Sequence, residues 1–326
     1  MDECTLKEDQ VSGAGRLLEG IVIEAAGASY VVAEDGGGEF RCRTFPGTGT
    51  ENEGSSLVAV GDRVEVKVTE SGTESMEGVI TKVRLRTSAL TRKRDIRRNR
   101  SKEKVQVIAG NIDQLVIVVS AFNPPLSTRL IDRYLVFAES EHLAPVVVVN
   151  KMDLGDAEEI MKLMEPYRAL GYRILYVSAG RQTGIEELRE VFSGKVSALS
   201  GHSGVGKSTL VNLLFGHRRL KTARTNLKTG KGQHTTSNAV MLALPTGGYV
   251  IDTPGIREFN LSGITRENLR FYFPEFLVPM QECAFSSCSH TVEPGCAIHK
   301  GAECGDIDPD RYESYLALYQ SIDEES

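Results

Sequence analysis

The stretch GHSGVGKST, residues 201–209, limits what this chain can fold into more than any other. Glycines so placed let successive backbone N–H groups turn toward one point, which requires a strand, a tight turn and a helix in direct succession. The flanks supply both elements, because KVSALS before it has the apolar run of a buried strand and GKSTLVNLLFG after it has helical periodicity. Gly201, Gly206, Lys207 and Ser208 satisfy GxxxxGK[ST] in the context that gives this pattern meaning, a cradle for phosphates. Lys207 is placed to reach the terminal phosphates, and Ser208 to ligate a magnesium ion.

Two further motifs end apolar strands. NKMD follows APVVVV, so Asn150, Lys151 and Asp153 emerge together at a strand end. A carboxylate at Asp153 can accept from both the N1–H and the exocyclic amine of guanine, donors that adenine does not present together. The Asn150 side chain is expected to tie neighbouring loops, and the Lys151 stem to lie along the base. YVSAG puts Ser178 and Ala179 at the next strand end, where a backbone N–H can meet the guanine carbonyl. VIDTPG places Asp252 to hold magnesium through water and the Gly255 N–H to meet a γ-phosphate. Between cradle and DTPG, the basic, glycine-rich KTARTNLKTGKGQHTTSNAV has the character of a switch, with Thr235 or Thr236 as its magnesium ligand. Ile256 follows DTPG where many GTPases carry a water-orienting glutamine, so His234 is the candidate for that task. A polar turn, or a loop histidine without a role, is the plain alternative for each motif taken singly.

The order is unusual. Selector, SAG, cradle, switch and DTPG follow one another, which is the ordinary GTPase order cut between DTPG and NKMD and rejoined. Chain ends close together on a domain surface permit such a circular permutation. The segment that answers to the γ-phosphate then leads directly into the C-terminal residues, so nucleotide state can reposition them.

Around this centre the periodicity changes twice. From Arg16 to about Arg86, apolar residues recur at every second position in GIVIEAAGASYVVAE, EFRCRTF, VGDRVEVKV and EGVITKVRLR. About five short strands are expected, a size that suits an OB-type barrel, with EDGGGE and FPGTGTENEGSS as loops. From about Val107, buried strands alternate with amphipathic helices, predicting a mostly parallel sheet covered on both faces. Beyond Leu261 come short helices around a cysteine cluster, ending in DPDRYESYLALYQSI. The expected domains are an all-β barrel over 1–88, a basic linker over 89–106, a permuted α/β P-loop domain over 107–262 and a small α-helical metal-binding domain over 263–326.

The linker belongs to TKVRLRTSALTRKRDIRRNRSKEK, residues 81–104, which carries only Asp95 and Glu103 as acids. It is either a solvated connector or a contact for a phosphate backbone, although the chain as a whole has a net charge of −6. No apolar run is long enough to span a bilayer, and MDECTLKEDQ is not the basic-then-apolar start of a signal peptide, so a cytoplasmic protein is expected. Four of the six cysteines are bunched near the end. Cys283, Cys288, His290 and Cys296 can close a tetrahedral zinc site with no open position, a structural and not a catalytic arrangement; His299 and Cys304 compete as ligands.

Barrel, permuted NKMD to GHSGVGKST to DTPG domain and terminal CxxxxCxHxxxxxC together resemble the ribosome small subunit-dependent GTPase A (RsgA) family of bacterial circularly permuted GTPases over nearly the whole chain. The resemblance implies late maturation of the small ribosomal subunit, contact with its rRNA, and GTP hydrolysis stimulated by that subunit. It carries guanine binding onto Asn150, Lys151, Met152 and Asp153, with methionine a departure at the third position. Phosphate binding falls on Gly201, His202, Ser203, Gly204, Val205, Gly206, Lys207, Ser208 and Thr209. It also implies one structural zinc on Cys283, Cys288, His290 and Cys296, and a role for GKGQHTT. The long glycine-rich insertion in the barrel and the acidic balance are further departures. GTP as substrate, magnesium, a monomeric state and no membrane partner complete the expectation. The rival from another class is a nucleotide-gated RNA-binding scaffold with incidental hydrolysis, which Ile256 in place of glutamine keeps open; a kinase using the same cradle is disfavoured by NKMD and by the lack of a separate acceptor motif.

Overall fold

The computed structural model describes residues 16–34, 37–52, 57–69, 77–92, 106–216, 240–252 and 263–322. Five strands form the N-terminal barrel: β1 (Leu17–Ala26), β2 (Ser29–Glu34), β3 (Glu39–Thr50), β4 (Arg63–Thr69) and β5 (Glu77–Val83). They pair in the order β1-β2-β3-β5-β4, and a β4–β1 ladder closes the ring. β3 and β5 are parallel and the other pairs antiparallel, a Greek-key barrel of the OB type. Alternation explains the closure: Leu18, Val22, Val32, Phe40, Val64, Val66, Ile80 and Val83 all point inward to one buried cluster.

One loop expected from composition is part of a strand. β3 continues through Thr50, because its register against β5 slips between Thr44 and Gly49 and absorbs Phe45, Pro46, Gly47 and Thr48 as a bulge. The Phe45 N–H donates to Thr48 Oγ1 at 3.0 Å, and that hydroxyl donates to Ile80 O at 2.7 Å. A short antiparallel pair, β6 (Ala89–Arg92) and β7 (Gln106–Gly110), brackets the basic stretch. Sequence periodicity missed it because each strand is too short to establish a period.

The second domain alternates as expected: β8 (Gln114–Ser120), α1 (Thr128–Ser140), β9 (Ala144–Asn150), α2 (Ala157–Ala169), β10 (Arg173–Tyr176), α3 (Ile185–Phe192), β11 (Val196–Ser200) and α4 (Lys207–Leu214). The antiparallel pair β12 (Val240–Ala243) and β13 (Tyr249–Asp252) completes the sheet. Its order is β10-β9-β8-β11-β13-β12, with β10 through β13 parallel. Every residue of β8 is buried, as a central strand covered on both faces requires. Asp156 caps α2 by accepting from the Glu158 and Glu159 N–H groups, and Ser127 caps α1.

Residues 263–322 fold into 3₁₀ turns at Leu269–Tyr272, Pro274–Phe276 and Pro279–Glu282, followed by α5 (Ala297–Cys304) and α6 (Pro309–Ser321). Their core of Leu269, Phe273, Phe276, Ile298 and Tyr315 is continuous with Ile131, Leu135 and Tyr167 of α1 and α2. Tyr315 packs edge-on to Phe273 and Phe276 at 5.3 and 5.0 Å between ring centres. None of the described helices is long and apolar enough to cross a membrane.

Candidate functional site

Parallel strands put β8, β9, β10, β11 and β13 carboxyl-end to carboxyl-end, so the loops that follow them share one edge of the sheet. Asn150 is the last residue of β9, Ser178 follows β10, Gly201 follows β11, and Asp252 ends β13 opposite Val240. Motifs distant in the chain therefore meet.

Asn150 makes the meeting specific. Its side chain is buried, 1% exposed; Nδ2 donates to Val205 O of the cradle at 2.9 Å, and Oδ1 accepts from the Ala179 N–H at 3.0 Å. One amide thus joins the NKMD strand, the SAG turn and the phosphate loop. Gly206 makes that approach feasible: it has φ +99°, and a Cβ there would lie 2.3 Å from Asn150 Nδ2. Only glycine suits both conditions.

Asp153 accepts from the Ser178 hydroxyl, and that bond, with a smaller contribution from Arg181, holds its carboxyl below the usual aspartate range. The carboxylate is half-exposed and ionised, as an acceptor for two base N–H groups must be. The Lys151 ammonium donates to Asn123 O, and Lys151 has a positive φ of 60°. Met152 is half-buried beside them, and its N–H donates to Val177 O at 3.2 Å. The Ala179 N–H, expected to face a guanine carbonyl, is directed at Asn150 instead; the Ser178 N–H donates to Thr183 O at 3.1 Å.

In the cradle, His202, Ser203 and Gly204 are exposed, Val205 is buried against the β-sheet core, and Gly206 ends the loop as the N-cap of α4. Lys207 Nζ donates to the carbonyls of Gly201 and His202, the latter at 2.8 Å, lying along the loop that a phosphate would share with it. Ser208 and Thr209 follow in the first turn of α4, where the N–H groups and the helix dipole favour an anion. His234, Thr235, Thr236 and Gly255 lie outside the described residues, and for Asp252 the backbone position at the end of β13 is what is described.

A second cluster lies in the C-terminal domain. Cys283, Cys288, His290 and Cys296 hold their donor atoms within 4.8 Å of one another. His290 Nδ1 is 3.6 Å from Cys283 Sγ and 3.5 Å from Cys296 Sγ. Tetrahedral zinc with ordinary Zn–S and Zn–N bonds requires about 3.6 Å between sulfur and nitrogen, so the set fits. The protonation chemistry fits too: burial lowers His290, favouring the neutral imidazole, while it pushes the Cys288 thiol up to about 12, where a dication is needed to hold a thiolate. Cys296 is the N-cap of α5, where its sulfur accepts from the His299 N–H at 3.4 Å. His299 and Cys304 lie outside the set.

Sequence reasoning missed what supports this cluster. Tyr312 and Tyr315 of α6 donate to His290 O at 2.8 Å and Ser289 O at 2.7 Å. Glu293 closes the loop; against the effect of burial, the N–H groups of Ser289 and Thr291 and the Ser289 contact hold it down to about 2. A carboxylate three residues before Cys296 was the visible signal, although its partners are backbone and so leave no trace in composition.

A model of the RsgA GTPase family matches residues 89–262. The small ribosomal subunit biogenesis GTPase RsgA of Chlorobaculum parvum is 61% identical over 307 residues, covering 94% of this chain and 99% of that protein. The chain belongs to the RsgA GTPase family. The protein of the same name from Gemmatimonas aurantiaca is 38% identical over 93% of this chain and 97% of its own length. Among solved structures, YjeQ from Thermotoga maritima superposes with a TM-score of 0.74 at 34% identity, covering 94% of this chain and 99% of that one. YloQ, described as a circularly permuted GTPase, superposes with a TM-score of 0.73 at 26% identity, covering 98% and 99%. The permuted order read from the motifs is thus the order of the family, and the fold is that of a circularly permuted GTPase with an N-terminal β-barrel.

Proposed function

We propose that this chain is a magnesium-dependent GTP hydrolase acting in late maturation of the small ribosomal subunit, that it contacts rRNA, and that the subunit stimulates its turnover. The observation that supports this reading is the Asn150 bridge, which joins the NKMD strand end to the SAG turn and the GHSGVGKST loop in a chain of the RsgA GTPase family. Guanine selection is assigned to Asn150, Lys151, Met152 and Asp153 with Ser178 and Ala179, and phosphate binding to residues 201–209. Asp252, Gly255 and the switch residues His234, Thr235 and Thr236 are assigned to magnesium, the γ-phosphate and the attacking water.

A structural zinc on Cys283, Cys288, His290 and Cys296 is part of the same reading, as are the domain limits 1–88, 89–106, 107–262 and 263–326. The protein is taken to act as a cytoplasmic monomer. The test is GTP turnover by the full chain with and without purified small subunits. A rise of about a hundredfold or more is expected, since catalytic groups donated in trans to other GTPases reach 10³–10⁵. An unchanged rate would overturn stimulated hydrolysis and favour the scaffold.

A further inference from the structure

The Leu269–Tyr272 turn makes two contacts of different kinds. Leu269, and Phe273 just after the turn, are fully buried in the core shared with α1, which fixes the backbone of the turn. Arg270 leaves the same turn for the cysteine cluster. Its Nη1 donates to Cys288 O at 2.9 Å and approaches Ser286 O at 3.5 Å, and the guanidinium carbon lies 5.0 Å from the centre of the Phe271 ring. Cys288 is thus held by a cation at its carbonyl while its sulfur belongs to the set of four donors.

Among the described residues Arg270 pairs with no carboxylate, whereas Arg311 of the same domain pairs with Asp132 and Glu275. The Arg270 Nε is buried without a hydrogen-bond partner. A guanidinium keeps its proton, so one that is drawn out of water needs a negative charge nearby. Glu293 does not supply it, because its oxygens accept from the N–H groups of Ser289, Thr291 and Val292. The cluster itself does. Three thiolates (3−) and a neutral imidazole around a dication (2+) leave the centre with one negative charge, at a place where Cys288 and His290 are each 1% exposed. Such a charge is costly to bury unless a cation faces it. His290 feels that cation: after burial, the Arg270 charge is the next influence that lowers the imidazole, toward the neutral form that a metal takes.

We propose that Arg270 is the counter-ion of a zinc centre on Cys283, Cys288, His290 and Cys296, positioning Cys288 through its carbonyl and tightening metal binding by offsetting the charge of the three thiolates. The proposal rests on the reading that these residues hold zinc, and adds the group outside the ligand set that tunes it. Groups so placed orient a metal's ligands and set their basicity, and losing one lowers metal affinity by about 10–100-fold.

The test is zinc affinity of the full chain, measured by competition with a chromogenic chelator. Arg270→Gln, which keeps an N–H donor but not the charge, should weaken zinc by about tenfold or more. Arg270→Lys, which keeps the charge, should stay closer to the parent than to Arg270→Gln. In the zinc-loaded proteins, iodoacetamide should release the metal faster from Arg270→Gln than from the parent, since a thiolate that loses a neighbouring cation is the stronger nucleophile. Parent-like affinity in Arg270→Gln, or equal losses in the two variants, would overturn the proposal. Near-ultraviolet circular dichroism at saturating zinc should be the same in all three proteins; a variant that stays disordered with zinc in excess makes Arg270 a packing residue and overturns it too. Metal analysis of the intact protein separates the two readings. If it holds no zinc, the zinc assignment falls and the counter-ion with it; if it holds one zinc that Arg270→Gln binds as the parent does, only the role of Arg270 falls.

Discussion

At the scale of single residues, the site depends on side chains too short to act unless their loops already touch. Asn150 spans two loops with one amide, and replacing it with a longer or an apolar residue would leave both the Val205 carbonyl and the Ala179 N–H without their partner. The motifs that hold Asp153 and Lys207 were legible in the sequence because NKMD and GxxxxGKS each have a fixed spacing. The present partners of Lys207, two carbonyls of its own loop, were not, since backbone groups carry no residue label. Asp153→Asn should lower GTP affinity by about ten- to a hundredfold, the value of a hydrogen bond to a charged group, while raising affinity for xanthosine triphosphate, whose second carbonyl can accept from the new amide. Competition binding with the two nucleotides checks this. Gly206→Ala should weaken GTP by about tenfold or more, because the methyl group meets Asn150 and the backbone is held at positive φ. Labelled-nucleotide binding beside a thermal melt separates loss of the site from loss of the fold.

At the scale of elements, one tie between the C-terminal domain and the sheet domain is a buried charge. Arg311 of α6 is 2% exposed; it donates to Asp132 of α1 at 2.7 Å and makes two bonds to Glu275, and its guanidinium lies over the rings of Tyr167 and Phe273. Helical periodicity shows where α1 and α6 run but carries no signal for a buried charge between them. The partner lies 179 positions away, and no local pattern reports it. Arg311→Met should lower stability by about 3–5 kcal/mol, since it leaves buried carboxylates uncompensated. Adding Asp132→Leu and Glu275→Leu should recover much of the loss; urea titration of the single and triple variants is the measurement. The cysteine cluster makes the complementary case, legible because metal ligands must be particular residue types at short spacing. Chelation, or Cys288→Ser, should release one zinc per chain and loosen residues 263–322, followed by metal analysis and near-ultraviolet circular dichroism.

At the scale of the molecule, the permutation was legible because motif order is a property of the sequence alone, whereas the way the barrel is fixed to the GTPase domain was not. Two bonds cross from one to the other: the Gly110 N–H donates to Val60 O at 2.8 Å, and Asn111 Nδ2 to Gly61 O at 2.9 Å. On the barrel side of them the Gly61 N–H donates to Val22 O at 2.7 Å and Arg86 pairs with the buried Asp62 at 2.6 Å. β1 and β12 meet at Glu24 and Val240, so the barrel also touches the strand that enters the sheet after the switch segment. An RNA held by the barrel would therefore be connected to the nucleotide edge through these contacts. Gly61 is the place to test it: φ is +88°, and a Cβ would lie 2.1 Å from Gly110 O, so Gly61→Ala must displace the barrel from β7 while leaving the nucleotide loops untouched. Basal GTP turnover should stay at the parent value. Turnover with small subunits should fall by about tenfold, the upper range of what a mechanical connection between distant sites carries. Subunit binding measured by sedimentation completes the experiment: binding retained with stimulation lost identifies the junction as the path by which the subunit reaches the nucleotide, and stimulation retained identifies the barrel as a tether alone.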